Sequence, residues 1–251
     1  MVVERVSVDG GTRAPSGETN AYVVDGELLV DPADRTDELD GIAATVDHVA
    51  LTHHHPDHTG GVAAYADSHD LTVWARAGRE PAFEAATGVA PDRTFREGTA
   101  LPGGVTVVET PGHAPEHVAF DTGDGVLVGD LAVVEGSVVV GAPEGDMRAY
   151  LSSLRRVHAR NPGRLYPGHG PVIGEPRETC RRLIDHRLDR ERRVLAAVAG
   201  GAETLDAVVD TAYEKDVSAV RDLALATARA HLEKLAVEGR VRWDGERARP
   251  A

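Results

Sequence analysis

A cluster of histidines directly after an apolar segment constrains this chain more than any other feature of its sequence. Four histidines and one aspartate fall among the seven residues from Thr52 to His58, which follow the apolar run from Val46 to Leu51. Imidazole and carboxylate groups are ligands that suit zinc, iron or manganese in proteins. Because a proline-containing segment that leaves a strand can direct several side chains at one point, the cluster predicts a metal site. A solvated histidine-rich loop is the alternative.

Three polar segments further along the chain supply additional candidate ligands. Each follows a short apolar run that reads as a β-strand, so each would present a polar side chain at a strand end. If the strands belong to one fold, their ends collect the ligands at one edge. The segments are Pro111-Gly112-His113, Gly129-Asp130 and Pro167-Gly168-His169-Gly170.

Strand and helix patterns alternate loosely, in two similar halves, up to about residue 174. Antiparallel strands are predicted over Val2–Val8, Ala21–Val24 and Glu27–Asp31, and a helix over Asp146–Arg160. This order favours an α/β fold in which two sheets pack face to face with helices outside, an αββα sandwich. Residues 78–98 form a polar, partly helical excursion whose role the pattern does not indicate.

The pattern changes to helix from residue 175. Helices are predicted over Pro176–Ala199, Thr204–Tyr213 and Ser218–Glu238, and a hairpin with an Asp-Gly turn over Gly239–Glu246. We therefore divide the chain into a catalytic domain, residues 1–174, and a C-terminal domain, residues 175–251. Helices followed by a hairpin suggest a winged helix, a module that binds nucleic acid, forms homodimers or packs on its neighbour.

Charge is distributed unevenly between these two parts. The net charge of -14 arises before residue 175, where the chain has 12 basic and 26 acidic residues. The rest of the chain has 15 basic and 15 acidic residues. Only two basic residues are lysines, and this acidic, arginine-rich composition is typical of salt-adapted, halophilic proteins. Surface carboxylates that keep the protein hydrated explain the acidity, and repulsion of nucleic acid is the competing explanation.

Cysteine content and hydropathy indicate a cytoplasmic protein. Cys180 is the single cysteine, so no internal disulfide can form, and no signal peptide is evident at the N-terminus. No apolar run approaches the roughly 18 residues of a membrane span.

These motifs together resemble the metallo-beta-lactamase-fold hydrolases, over roughly residues 1–174. The segment His53-x-His55-x-Asp57-His58 and the three later segments stand in the order of that superfamily's motif regions. The resemblance implies two divalent metals, zinc first, with iron or manganese as alternatives. It implies a first site of His53, His55 and His113, a second site of Asp57, His58 and His169, and Asp130 as the bridge. His54 would not be a ligand.

The second half of the chain resembles a narrower group, the beta-lactamase-like protein 2 proteins, whose members carry a C-terminal winged helix. The segments Tyr166–Ile173 and His186–Glu191 support this resemblance. The human member of the group cleaves single-stranded RNA, whereas many microbial members are described only as hydrolases. Glyoxalase II is the second resemblance, although this chain has Pro-Gly-His-Gly where that enzyme usually has Pro-Gly-His-Glu.

The ligand set predicts a hydrolase in which a metal-bridging hydroxide attacks an ester, thioester or phosphodiester. Cleavage of single-stranded RNA is favoured over hydrolysis of a small acyl thioester such as hydroxyacylglutathione. A nucleic-acid-binding module with a vestigial hydrolase domain is a remote alternative, because all seven ligand positions are present. Asp57 and His117 are the candidate catalytic residues, with His117 either a proton donor or a support for a ligand. Arg187 and Arg190 are candidate RNA contacts in an arginine-rich segment that could equally well be a solvated or docking helix face.

Overall fold

The computed structural model describes all residues from 1 to 251. Two β-sheets face each other, and the first has six strands paired in chain order. The first three pair antiparallel and the remaining pairs are parallel. The strands of this sheet are β1 Val3–Val8, β2 Thr19–Val24, β3 Leu28–Val30, β4 His48–Ala50, β5 Thr72–Arg76 and β6 Arg93–Phe95.

The second sheet has five strands, which are β7 Ala100–Leu101, β8 Val105–Glu109, β9 Val118–Asp121, β10 Val126–Gly129 and β11 Leu165–Pro167. Their order across the sheet is β11-β10-β9-β8-β7. Neighbours pair antiparallel except β10 and β11, which pair parallel. The carboxyl ends of β10 and β11 therefore lie at the same edge of the sheet, side by side.

Eight helices and a terminal hairpin complete the chain. The helices are α1 Asp37–Ala43, α2 Pro56–Thr59, α3 Val62–His69, α4 Glu80–Thr87, α5 Met147–Arg160, α6 Pro176–Ala199, α7 Leu205–Ala212 and α8 Arg221–Val237. The hairpin strands are β12 Val241–Trp243 and β13 Ala248–Pro250. None of the helices combines the length and apolar character that a membrane span requires.

Burial shows why the sheets take up this layered arrangement. β2 is buried at every position, so both of its faces must be apolar. Tyr22 and Val24 pack between the two sheets, whereas Ala21 and Val23 pack under α1, α3 and α4. A third cluster joins the outer face of the second sheet to α5 and the first half of α6. The expected αββα sandwich is confirmed.

α6 runs through both parts of the molecule. Cys180 and Leu183 belong to the core of the catalytic domain, whereas Val194 and Val198 belong to a separate core with α7, α8 and the hairpin. The helix has the bounds expected from the sequence, whereas the hairpin extends to Pro250, beyond the expected end at Glu246. The change from one core to the other takes place inside α6, rather than at residue 175 where the pattern of the sequence changes.

The excursion over residues 78–98 has a clear structural role. It contains α4 and ends in β6, which pairs parallel with β5 and forms one edge of the first sheet. Phe83 of α4 is 1% exposed and packs edge-on against the ring of His54. This segment therefore packs against the histidine cluster through the contact between Phe83 and His54.

Candidate metal centre

The candidate ligands leave the carboxyl ends of strands from both sheets. His53, His55, Asp57 and His58 follow β4, and α2 begins at Pro56, a position at which proline is favoured. His113 follows β8, Asp130 follows β10, and His169 follows β11. Strand ends from the two facing sheets thus bring distant parts of the sequence to one point.

All seven ligand candidates expected from the sequence meet there, in three overlapping groups. Within each group the potential ligand atoms lie within 4.8 Å of one another. His53 belongs to the first two groups and His58 to the last two, so the groups form one continuous cluster. They are His53, His55 and His113; His53, His58 and Asp130; and Asp57, His58 and His169.

Asp130 lies between the two ends of this cluster. Its Oδ2 is 3.5 Å from Nε2 of His113, whereas its Oδ1 is 3.3 Å from Nε2 of His169 and 3.6 Å from Nε2 of His58. The two carboxylate oxygens therefore face different sets of histidines, as a bridging ligand requires. A Cβ atom on Gly168 would lie 2.6 Å from Oδ1, so only glycine fits beside this carboxylate.

Buried polar atoms without partners test whether this cluster fits a metal. Nε2 of His53, Nε2 of His58 and Oδ1 of Asp130 are all buried and have no hydrogen-bond partner. Leaving such atoms unsatisfied is costly, and most buried polar atoms in proteins are bonded. All three atoms belong to one of the groups of candidate ligands, His53, His58 and Asp130. A set of imidazole nitrogens and carboxylate oxygens with this arrangement fits divalent metal ions.

Asp31 orients the histidine segment through hydrogen bonds. It was not among the candidate residues identified from the sequence. Its carboxylate is 1% exposed and accepts hydrogen bonds from the N–H and the hydroxyl of Thr52, both at 2.7 Å. The same carboxylate lies 3.1 Å from Nδ1 of His58, and the Thr52 hydroxyl lies 3.0 Å from Nδ1 of His53. An acid directly after the apolar run of β3 was the available signal, but it resembles an ordinary turn residue.

Backbone carbonyls orient two other ring nitrogens. Nδ1 of His113 donates to the carbonyl of Val139 at 2.6 Å, and Nδ1 of His169 donates to the carbonyl of Glu18 at 2.9 Å. A proton held on Nδ1 leaves Nε2 as the lone-pair nitrogen that faces the cluster. Both rings are thereby fixed in the tautomer that a metal ligand needs.

His117 supports Asp130 and is not placed to donate a proton to a substrate. The ring is fully buried, its Nε2 accepts the backbone N–H of Asp130 at 3.1 Å, and Nδ1 lies 2.9 Å from the hydroxyl of Thr110. Burial, together with the nearby His113, lowers the pKa of His117 to about 3. Of the two roles expected from the sequence, the structure favours the supporting one, because both ring nitrogens are occupied.

The protonation states of the cluster follow from competing effects. Burial lowers the pKa values of His53 and His113. Burial acts in the same direction on His58, but the carboxylates of Asp31 and Asp130 outweigh it and raise its pKa to about 10. Burial tends to raise the pKa of Asp130, yet its histidine partners hold it well below the usual range. Without a metal, the cluster therefore keeps a proton on His58 beside an ionised Asp130.

A cavity of about 710 Å³ opens above the cluster. His55, Asp57, His113, Asp130 and His169 form its base, and residues 12–16 form one wall. Residues 133–139 and Gly141 also line the cavity, and we name residues 133–141 the cavity loop. Two residues of α8 in the C-terminal domain, Leu223 and Ala226, also line the cavity, together with Glu144, Gly170 and Pro171. No pattern in the sequence indicated these walls, because they come from segments far apart in the chain.

The two candidate RNA contacts lie elsewhere. Arg187 is 3% exposed, donates to the carbonyl of Val138 and lies over the ring of Tyr150. Arg190 stacks on Tyr213 at 3.5 Å, and neither arginine lines the cavity. The expectation that Arg187 contacts a substrate is wrong, since a buried and engaged guanidinium cannot bind a polyanion. These two arginines of α6 instead make contacts within the protein, whereas Arg177 and Arg181 are exposed.

Two family models match the chain. The Metallo-beta-lactamase superfamily matches residues 15–169, which include all seven ligand candidates. The Beta-lactamase associated winged helix domain matches residues 204–249, which include α7, α8 and the hairpin.

Curated relatives cover the chain to different extents. The Beta-lactamase-like protein 2 homolog of Drosophila melanogaster is 31% identical in an alignment over 250 residues, which covers 89% of this chain and 84% of that protein. Thioesterase pkgB of Emericella nidulans is 34% identical in an alignment over 165 residues, which covers 62% of this chain and 43% of that protein.

Solved structures show the same architecture. A metallo-beta-lactamase family protein from Thermus thermophilus aligns with a TM-score of 0.79 at 24% identity, over 99% of this chain and 98% of that one. A protein solved in a di-iron-bound form aligns with a TM-score of 0.59 at 33% identity, over 70% of this chain and 96% of that one. The family models, the relatives and the geometry of the cluster agree, and this chain belongs to the metallo-beta-lactamase superfamily of metal-dependent hydrolases, with an associated winged helix domain at its C-terminal end.

Proposed function

We propose that this chain hydrolyses an acyl thioester or ester whose apolar acyl group lies in the cavity above a dinuclear metal centre. The cavity lining is the observation that carries the proposal. Four valines of the cavity loop and Leu223 of α8 line the cavity, and a volume of about 710 Å³ suits a small-molecule substrate. An apolar acyl group gains free energy from burial against such a surface.

The charges around the cavity disfavour RNA, the substrate that the sequence had favoured. Glu135 and Glu144, which the metal assignment does not use, line the cavity. Arg13 is the one arginine of the lining, which contains no lysine, and it already pairs with Asp222 at 2.7 Å. Proteins that bind single strands use a positively charged groove and aromatic stacking platforms, neither of which is present here. Single-stranded RNA cleavage is therefore the second candidate.

We assign the metal ligands as the sequence resemblance implies, because the structure brings those residues together. His53, His55 and His113 would hold one ion, Asp57, His58 and His169 the other, and Asp130 both. Zinc suits these ligands, and iron is the alternative since one similar protein was solved in a di-iron-bound form. When bound, such a pair supplies Lewis acidity, which activates water near neutral pH and polarises the carbonyl of the substrate.

The side chains of this protein set the geometry for that chemistry. Asp31 and the carbonyls of Val139 and Glu18 hold the imidazole rings so that their free nitrogens face the cluster. The cavity places the scissile carbonyl beside the cluster by accommodating the acyl group. Asp57, whose side chain is 23% exposed, reaches both the cluster and the cavity. We assign to it the roles of ligand and catalytic carboxylate.

A substrate panel tests the proposal directly. Metal-loaded protein is incubated with acyl-coenzyme A thioesters of increasing chain length, with S-lactoylglutathione, and with labelled single-stranded RNA at low and molar salt. We expect thioester hydrolysis that increases with acyl length until the cavity is filled, and no RNA cleavage. The Asp57→Ala variant, which removes one ligand, is the control against contaminating enzymes. RNA cleavage that depends on Asp57, without thioester turnover, would establish the second candidate instead.

A further inference from the structure

Arg187 of α6 is a buried cation whose position needs a physical reason. It is 3% exposed, and its Nε has no hydrogen-bond partner. Removing a charge from water is costly unless specific contacts compensate. Arg187 lies in the segment His186–Glu191, which the hydrolase chemistry itself does not use. Its contacts therefore indicate what this segment does.

The first contact leads to the candidate ligand His113. The guanidinium of Arg187 donates to the carbonyl of Val138 in the cavity loop. The next carbonyl along the chain, that of Val139, accepts the proton of Nδ1 of His113 at 2.6 Å. Arg187 thus restrains the peptide unit that precedes the carbonyl orienting this ring. If the loop shifted, Nε2 of His113 would leave its place beside Asp130.

The second contact leads to Asp130. The guanidinium carbon of Arg187 lies 5.5 Å from the centroid of the Tyr150 ring, a cation–π distance. The hydroxyl of Tyr150 donates to the carbonyl of Leu131 at 2.8 Å, and Leu131 directly follows Asp130. The first contact therefore ends one residue from the carbonyl that orients His113, and the second leads through Tyr150 to the residue next to Asp130.

We infer that Arg187 is a positioning residue, through which α6 holds His113 and Asp130 in the geometry for the first metal. This inference goes beyond the proposed function, because it applies whichever substrate the enzyme hydrolyses. It also explains a buried arginine at the junction of the two cores, where α6 passes from one to the other.

Metal affinity measures this role independently of activity. The metal-free variants Arg187→Met and Arg187→Lys are titrated with zinc against a chromophoric chelator, and folding is checked by circular dichroism and thermal unfolding. We expect Arg187→Met to bind one of its two equivalents of zinc about 10- to 100-fold more weakly, the usual effect of losing a group that orients a ligand. Arg187→Lys, which keeps a cationic donor, should recover part of this affinity.

Arg182→Met is the matched control. Arg182 lies on the same helix and donates to three carbonyls of the same loop at 2.8 to 2.9 Å, but these belong to Val133, Val134 and Gly136, away from the Val139 anchor. We expect wild-type zinc affinity for both equivalents in this variant. Wild-type affinity in Arg187→Met, or an equal loss in Arg182→Met, would overturn the inference. Loss of the fold in both Arg187 variants would also overturn it, because the role would then be in folding.

Discussion

Asp130 depends on its neighbours for the orientation that lets one carboxylate face two sets of histidines. His117 accepts its backbone N–H, and Gly168 leaves room for Oδ1. Asp31 has a parallel role for His53 and His58, directly or through Thr52. At the scale of single residues, the centre is therefore a set of candidate ligands that a second set of buried groups orients.

The dependence of kcat on pH tests whether His117 supports Asp130 or donates a proton to the substrate. Because burial lowers its pKa to about 3, His117 is neutral throughout the working range and cannot produce a step in rate near pH 6.5. We expect His117→Gln to weaken metal binding about 10- to 100-fold. At saturating metal, the shape of the kcat against pH profile should match that of the wild type. Disappearance of one limb of the profile would identify His117 as a proton donor.

Replacing Asp31 should weaken the second site most. Asp31→Asn keeps the size of the side chain but removes the charge that faces Nδ1 of His58, 3.1 Å away. We expect a loss of about 10- to 100-fold in affinity for one metal equivalent, measured by chelator competition. Asp34→Asn, which changes an exposed acid at the surface, is the matched control. Unchanged affinity in Asp31→Asn would contradict the orienting role.

At the scale of elements, α8 and the cavity loop both line the cavity, and we propose that together they decide which substrates fit. The backbone N–H of Ala142 donates to the carbonyl of Ala226 at 3.1 Å, and a Cβ atom on Gly141 would lie 2.9 Å from the Cβ of Ala226. The loop and the helix are therefore in close contact. The winged helix domain contributes to the cavity of the hydrolase domain through this contact, rather than forming a separate site.

Leu223→Trp should shorten the acyl chain that the enzyme prefers. Leu223 lines the cavity, so a larger side chain there reduces its volume without touching a candidate metal ligand. We expect kcat/KM to fall more for long than for short acyl thioesters, with metal content unchanged. Val220→Trp, at an exposed position just before α8, is the control and should keep the wild-type preference. An unchanged chain-length profile in Leu223→Trp would exclude α8 from substrate selection.

At the scale of the whole molecule, stability and metal binding are linked through protons. Asp31 and Asp130 outweigh burial and raise the pKa of His58 to about 10, compared with about 6.5 in an unfolded chain. A raised pKa means that the folded protein holds this proton more tightly. Its contribution to stability is complete below pH 6.5 and is lost as the pH rises through 10. A metal replaces the proton, so binding should release it.

We therefore expect the melting temperature of the metal-free protein to fall between about pH 7 and 9.5. Thermal unfolding in the presence of a chelator measures this. Zinc titration calorimetry in buffers of different ionisation heat should show proton release at about pH 7.5. A melting temperature that rises over this range, together with no proton release, would contradict the protonation of His58.

The sandwich and the seven candidate ligands could both be predicted from the sequence, because a polar residue that follows an apolar strand is a local pattern. Asp31 was missed because one acid after a short strand is common in turns. The cavity walls could not be predicted, since residues 12–16, the cavity loop and α8 approach one another only in the folded chain. The arginines of α6 were open to two interpretations, and burial decided between them for Arg187 alone.

The metal content of the purified protein, compared with that of Asp130→Ala, tests the central claim most directly. Elemental analysis after mild purification should find about two divalent ions per wild-type chain. In Asp130→Ala the occupancy and the hydrolysis rate should fall together, because one carboxylate faces both sets of ligands. One ion or none in a fully active wild-type protein, or normal turnover in Asp130→Ala, would contradict the dinuclear centre.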